Sequence, residues 1–385
     1  MFNHRIVMFI AVSTLSLSSQ LAGIAVADGM HFGPKVSDRP VVSLDQTVIL
    51  AVGDARTATI VRTGLRDASD GAAWFMPVPA RPYDVRIVED PFPALDRLTM
   101  PIDQQYGGGR MPGAGGAIGG PAREEVVVAE RMILGVMDVA VLSAESTAPL
   151  MAWLDREGFR APDGVEEVFA DYVERGWWWI VAKLAKPDQF ARPDAIDAAT
   201  GKSTGGKSAD SAVPKPLAFT YDAPAVYPMT ISRLSASPWT DIALFVVAPH
   251  RTTILGPHGA PMAEMQRFVD RRHIPGDPLP FLVTQMASPI EAWLDSPPLQ
   301  QFMARRGWRS TEESGDRWRT FAALAPMLDA VGLPVPGRGV ESSDRAEAEP
   351  VAWITRLRMQ LRPREMNWDL AIIRAGDQRP VPREL

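Results

Sequence analysis

The chain has 385 residues, enough for one large domain or two ordinary ones, and 46% of them are hydrophobic, enough to fill a core. Its formal net charge of −6, without a basic patch, argues against nucleic acid or an anionic membrane as the main partner. It contains no cysteine, which excludes a lipid-modified N-terminus, thiolate metal sites, cysteine nucleophiles and disulfides.

The first element is an export signal. His4 and Arg5 give a short positive start, Ile6 to Val12 form an apolar run, and Leu15, Leu17 and Leu21 extend it more weakly. Ala25-Val26-Ala27 supplies the small-x-small pattern of a cleavage site, so residues 1–27 are predicted to be removed between Ala27 and Asp28. Ser13, Thr14, Ser16, Ser18, Ser19 and Gln20 make the segment too polar to stay in a bilayer core roughly 30 Å thick. The mature chain is therefore expected in the periplasm or outside the cell, with no transmembrane segment after cleavage.

Strands come next. Thr47 to Val52 and Thr57 to Leu65 are β-rich runs separated by the turn residues Gly53-Asp54. Trp74 to Pro79 reads as extended, and its two prolines suit a sheet edge because they cannot donate to a ladder. Val85 and Ile87 mark another short strand. Val126 to Leu142 has the length of two strands or one bent strand, with Gly135 as a bulge.

The period then changes. Pro149 stands at a helix start, followed by Leu150, Trp153 and Leu154, with Gly158 as terminator. Val165, Val168, Phe169, Tyr172 and Val173 repeat at helical spacing up to Gly176. Trp177 to Leu184, Leu217 to Tyr221, Val226 to Ile231 and Ile242 to Val247 read as strands. From about Ser288 the pattern predicts helices: a stripe of Trp318, Phe321, Ala325 and Leu328 kinked or ended by Pro326, then Trp353, Ile354, Leu357 and Leu361 halted by Pro363.

Two loops interrupt this order. Residues 107–120 hold eight glycines in fourteen, and residues 199–213 read as a polar linker. The expected class is α+β: a β-rich, mostly antiparallel part at 28–285 with an interleaved helix pair, and a mainly helical part at 286–385 packed on it. Pro149 to Asp155 is echoed by Pro289 to Asp295, and each copy is followed by Arg-Gly-Trp, at 175–177 and 306–308. A shared helix-start pattern explains the echo better than duplication.

Several pieces lie in a distinctive order. They are Trp74-Phe75-Met76-Pro77-Val78-Pro79, Gly135 to Ala144, Ala152-Trp153-Leu154 through Gly158-Phe159, Tyr172-Val173 through Gly176-Trp177, and Lys183-Leu184. Phe219-Thr220-Tyr221, Tyr227-Pro228-Met229, Thr355-Arg356-Leu357, Met366 and Asp369-Leu370 follow. In these the chain resembles the bacterial family known as domain of unknown function 2330. Members commonly carry an aromatic at the place of Met137 and cysteines near the mature N-terminus, and this chain has neither. The resemblance implies an exported protein with a shared fold and brings no catalytic residues.

Four constellations bear on chemistry. Gly201-Lys202-Ser203-Thr204-Gly205-Gly206-Lys207-Ser208 fits the phosphate-loop pattern, but no hydrophobic strand feeds it and Pro214 and Pro216 spoil a following helix, so a linker is the better reading. His250, His258, Asp270 and His273 could together make a cysteine-free metal site, although their spacing matches no ligand motif. Ser143 follows a strand without a nucleophile elbow, and the acidic pair Glu124-Glu125 could serve as acid and base. Trp177-Trp178-Trp179 puts indoles on both faces of one strand. Trp178 is expected in the core, and packing under the helices outweighs a stacking surface made by Trp177 and Trp179.

The expected role is non-enzymatic binding of an envelope partner or ligand, with no cofactor implied. The alternative is a periplasmic hydrolase using carboxylates or the histidine group.

Overall fold

The computed structural model describes residues 24–26, 29–35, 42–65, 72–99, 127–184, 214–234, 238–290, 320, 322–335 and 352–381. Its first strands are β1 (Ile24–Val26), β2 (Met30–Phe32), β3 (Val42–Val52), β4 (Thr57–Val61), β5 (Ala73–Val78) and β6 (Tyr83–Ile87). Then come β7 (Val127–Leu134), β8 (Met137–Ser143), β9 (Trp178–Leu184), β10 (Leu217–Tyr221), β11 (Val226–Tyr227) and β12 (Thr240–Ala248). The last are β13 (Thr252–Leu255), β14 (Glu264–Met265), β15 (Leu282–Pro289), β16 (Trp353–Leu361) and β17 (Leu370–Arg374). Helices are α1 (Phe92–Thr99), α2 (Thr147–Arg156), α3 (Val165–Glu174) and α4 (residues 322–330).

The largest sheet runs β14-β15-β16-β12-β3-β4-β10-β6, with β1 pairing in parallel beside the start of β3. A second sheet runs β2-β5-β9-β8-β7, and a small third one runs β11-β17-β13. Most pairs are antiparallel; β12 with β3, and β14 with β15, are parallel.

Three cores explain how these sheets stack. Inward residues of the large sheet (Leu50, Phe219, Leu244, Leu357) meet those of the other two (Trp74, Val139, Ile180, Leu370) in one apolar layer. The outer face of the large sheet, with Ile49, Ile60, Phe245 and Ile354, is covered by Phe92 and Leu95 of α1 and Leu324, Met327 and Leu328 of α4. The outer face of the second sheet, with Phe75, Leu142, Trp179 and Val181, lies under Leu150, Trp153, Val168 and Phe169 of α2 and α3. The result is helices, sheet, sheets, helices, in which strands buried on both faces lose the polar alternation of a half-exposed strand.

Local chemistry sets the boundaries. Glu166 and Glu167 in the first turn of α3 suit its positive end, and Gly176, at φ +70°, closes it. The β7–β8 hairpin turns on Gly135-Val136, where Gly135 at φ +62° takes a conformation that a side chain disfavours. Gly135 is thus the turn rather than the expected bulge, and the bulge falls between Val128 and Glu130.

The expected α+β class with a mainly helical C-terminal part is overturned. The described residues are β-rich, and beyond Ser288 they supply strands β16 and β17 against one short helix. Trp353 to Leu361 is not a helix but β16, between β12 and β15 in the large sheet. Leu357, Met359 and Leu361 point into the central layer, while Ile354 and Arg356 lie on the other face. Trp353, Ile354, Leu357 and Leu361 also fit a helical stripe, and tertiary burial decided between the two periods. The boundary placed at 285 falls inside β15. α4 keeps Leu328 buried and runs on through Pro326; Trp318 and Phe321 lie outside the described residues.

Smaller differences have similar causes. β5 is flanked by β9 and by β2, but β2 covers only Ala73–Phe75, so among the described residues no strand pairs with Pro77 on that side, although Pro77 is buried. α2 begins at Thr147, which places Pro149 inside its first turn. Pro289 ends β15, so the two echoed segments begin in different structures, and residues 291–319 lie outside the described part.

Candidate functional site

The described residues among those singled out in the sequence do not gather into a metal site. His250 is half-buried after β12, with its pKa lowered by burial and by Arg374. His258 is exposed between β13 and β14. His273 is 80% exposed, its Nδ1 3.8 Å from Asp270 Oδ2. Asp270 is already engaged: it caps the short turn Arg271–His273, accepting from the Arg272 backbone N–H at 2.9 Å and from the Arg272 guanidinium. Those hydrogen bonds hold its carboxyl well below the usual carboxylate range. Among the described residues, no three His, Asp or Glu side chains gather to hold a metal ion.

Ser143 ends β8 opposite Val127. Glu124, Glu125, the phosphate-loop match at 201–208, the loops 107–120 and 199–213, and the cleavage residues Ala27 and Asp28 lie outside the described part. The tryptophan run packs as expected for Trp177 and Trp179, which are buried under α3 with Phe169 and Tyr172. Trp178, expected in the core, is instead half-exposed, with the guanidinium of Arg81 over its ring at 5.6 Å.

The structure gathers a different set of residues where the large sheet ends at β14. Between β14 and β15 the chain folds back along β16, and Arg271 fastens it there. Its guanidinium is fully buried and bonds Glu365 through Nη1 at 2.7 Å and Nη2 at 2.8 Å. Nη1 also donates to the Gln360 carbonyl at 2.7 Å, Nη2 to the Pro278 carbonyl, and the Arg271 backbone N–H to Gln360 Oε1 at 2.8 Å. Burial pushes the Glu365 carboxyl up, but hydrogen bonds from Arg271 and the Arg362 backbone outweigh it and hold the group below its ordinary value.

Arginines and aromatics alternate around this pin. Arg358 lies 3.7 Å over the Phe268 ring, Arg362 lies 4.4 Å over Trp239, and Arg271 faces the same indole at 5.2 Å. Arg362 and Arg364 share Asp277, and Arg358 pairs with Asp241 at 3.2 Å. On the same stretch three apolar side chains stay in solvent: Met265 at 41% exposure, Val269 at 39% and Leu279 at 84%. Arginine, aromatics and methionine beside solvated apolar tips is the composition of protein interfaces. Arg271, Arg272 and Arg358 each pair with a carboxylate, and Arg362 and Arg364 share one, so the face offers shape, stacking and apolar contact rather than acid–base chemistry.

Nothing in the periodicity of 264–280 singles out this face, because solvated Met, Val and Leu leave no repeat. The one usable signal was the density of arginines at 267, 271, 272, 356, 358, 362 and 364 near Trp239 and Phe268.

The family model that matches the chain is that of an uncharacterized protein conserved in bacteria, DUF2330, over residues 31–261. This chain belongs to the DUF2330 family. The DUF2330 match opens at His31 in β2 and ends just before β14, so the Arg271 face and strands β15 to β17 lie beyond it. No curated protein and no solved structure matches the chain. No helix among the described residues is long and apolar enough to cross a membrane.

Proposed function

We propose that this DUF2330 chain is an exported envelope protein, periplasmic or secreted, that binds a partner protein without catalysing a reaction. The binding reading rests on one observation: Met265, Val269 and Leu279 are exposed on a segment that the Arg271–Glu365 pair fastens to the end of β16. A fixed segment loses little conformational entropy when a partner covers it.

Export is supported by the three-part leader and by where the family match begins. Met30 and Phe32 are core residues, two and four places after Asp28, and the family match starts at residue 31. β1 lies within the leader and adds three residues beside the start of β3, which keeps β4 and β12 as partners without it.

The export half is tested by N-terminal sequencing of protein recovered from the cell envelope. Asp28 as first residue supports it, and an intact Met1 on cytosolic protein overturns it. The binding half is tested by comparing tagged wild type with a Met265→Ser, Val269→Ser, Leu279→Ser variant of matched thermal stability. A discrete partner recovered only with wild type supports it; equal recovery by both contradicts it.

A further inference from the structure

His31 is a histidine buried where a second proton has nowhere to go. It sits in β2, opposite Trp74 of β5, at 2% exposure. Its Nε2 is 2.7 Å from the Thr63 carbonyl oxygen, and a carbonyl only accepts, so Nε2 carries the ring proton. Nδ1 is left as a bare lone pair, buried and without a hydrogen-bond partner among the described residues. Protonating Nδ1 would create an imidazolium whose new N–H meets none of their acceptors, at the desolvation cost of a buried charge.

Among the described side chains, none supplies His31 with a compensating charge. β5 carries no ionisable residue. Arg233, on the short turn Thr230–Leu234 beside β2, is bound to Glu167 at 2.8 Å. Arg62, next to Thr63, is bound to Asp90 at 3.0 Å. β3, also beside β2, contains Asp45. Burial lowers the His31 pKa to about 4, and the Thr63 carbonyl alone opposes that shift.

Few ladder bonds hold the strand that carries His31, and its anchorage is the packing of Met30 and Phe32 in the core. β2 has three residues, lies at the edge of its sheet and, among the described residues, pairs with β5 alone. We infer that β2 is an acid-released strand: protonation of His31 expels Met30–Phe32 and bares the edge of β5 at Ala73–Phe75. An expelled histidine takes its proton near pH 6.5, so between that value and about 4 the expelled form binds more protons and acid favours it. From pH 7 to pH 5 its population rises about 20-fold.

Hydrogen exchange of the full chain, corrected for the intrinsic pH dependence of amide exchange, tests this. Protection of the Met30–Phe32 and Ala73–Phe75 amides is expected to fall about 20-fold between pH 7 and pH 5 and to lie well below that of Ile242–Val247 in β12 at each pH, because β12 opens only with the whole fold. Unchanged protection in β2, or protection in β2 equal to that in β12 at each pH, overturns the inference. In His31→Gln the dependence of β2 disappears, and in Asp45→Asn it remains. Should His31→Gln fail to fold, the wild-type comparison decides alone.

Discussion

The buried guanidinium of Arg271 meets the carboxylate of Glu365 through two hydrogen bonds, 2.7 and 2.8 Å long, across 94 positions of sequence. Glu365 follows β16 at the turn Pro363–Glu365, so the pair ties the segment between β14 and β15 to the end of a central strand. The exposed face at Met265–Leu279 owes its shape to that tie.

Removing one partner leaves the other charge buried and alone. Arg271→Ala is expected to cost about 3–5 kcal/mol in urea unfolding, whereas the double change Arg271→Met with Glu365→Leu recovers most of the loss. Protease cleavage between residues 265 and 280 should rise in the single variant before global unfolding does. Equal stability of Arg271→Ala and wild type would remove the pin.

Acid stability separates two groups by sign. His31 has a folded pKa below its unfolded value, so the stability that depends on its neutral form is complete above about 6.5 and is lost as pH falls toward about 4, roughly 3 kcal/mol in all. Glu365 is also depressed, but as a carboxylate. Its contribution is whole above about 4.3 and is lost as pH falls below that value toward its lower folded pKa. Urea midpoints against pH should decline in two stages, with His31→Gln flattening the upper stage and Glu365→Gln the lower one.

The tryptophan run gives a direct packing test. Trp179 is fully buried against Phe169 at 4.6 Å, so Trp179→Ala should cost about 3–5 kcal/mol. Trp178→Ala loses partly exposed surface and one cation–π contact with Arg81, and should cost about 1 kcal/mol or less. Thermal melts of the two variants check the order.

β16 offers the corresponding test of the large sheet. Leu357 is fully buried in the central layer, and Leu357→Ala should cost about 2–5 kcal/mol with the same secondary structure by circular dichroism. A change near zero would mean that this stretch is not a central strand.

Much of the fold was legible where one period stood alone. Val165, Val168, Phe169 and Tyr172 admit only a helix, and Leu217 to Tyr221 only a strand, and both are found at the expected residues. β16 was not legible because its alternation is masked. Arg356 and Gln360 are buried polar residues bonded to Thr99, Asp96 and Asp241, so the face that should read as solvent is interior. The candidate face was hidden for the opposite reason. Leu279 is an apolar residue that remains in water, and only the fold, by pinning Arg271 beneath it, distinguishes it from a leucine seeking a core.

A photo-crosslinking residue at position 279, compared in living cells with one at Leu184, tests the proposed binding role most directly. Both sites are exposed, at 84% and 43%, but Leu184 ends β9 in the other sheet. Envelope-located protein is expected to give a discrete adduct from position 279 and none from position 184. No adduct at 279, or the same adducts from both positions, would contradict that role.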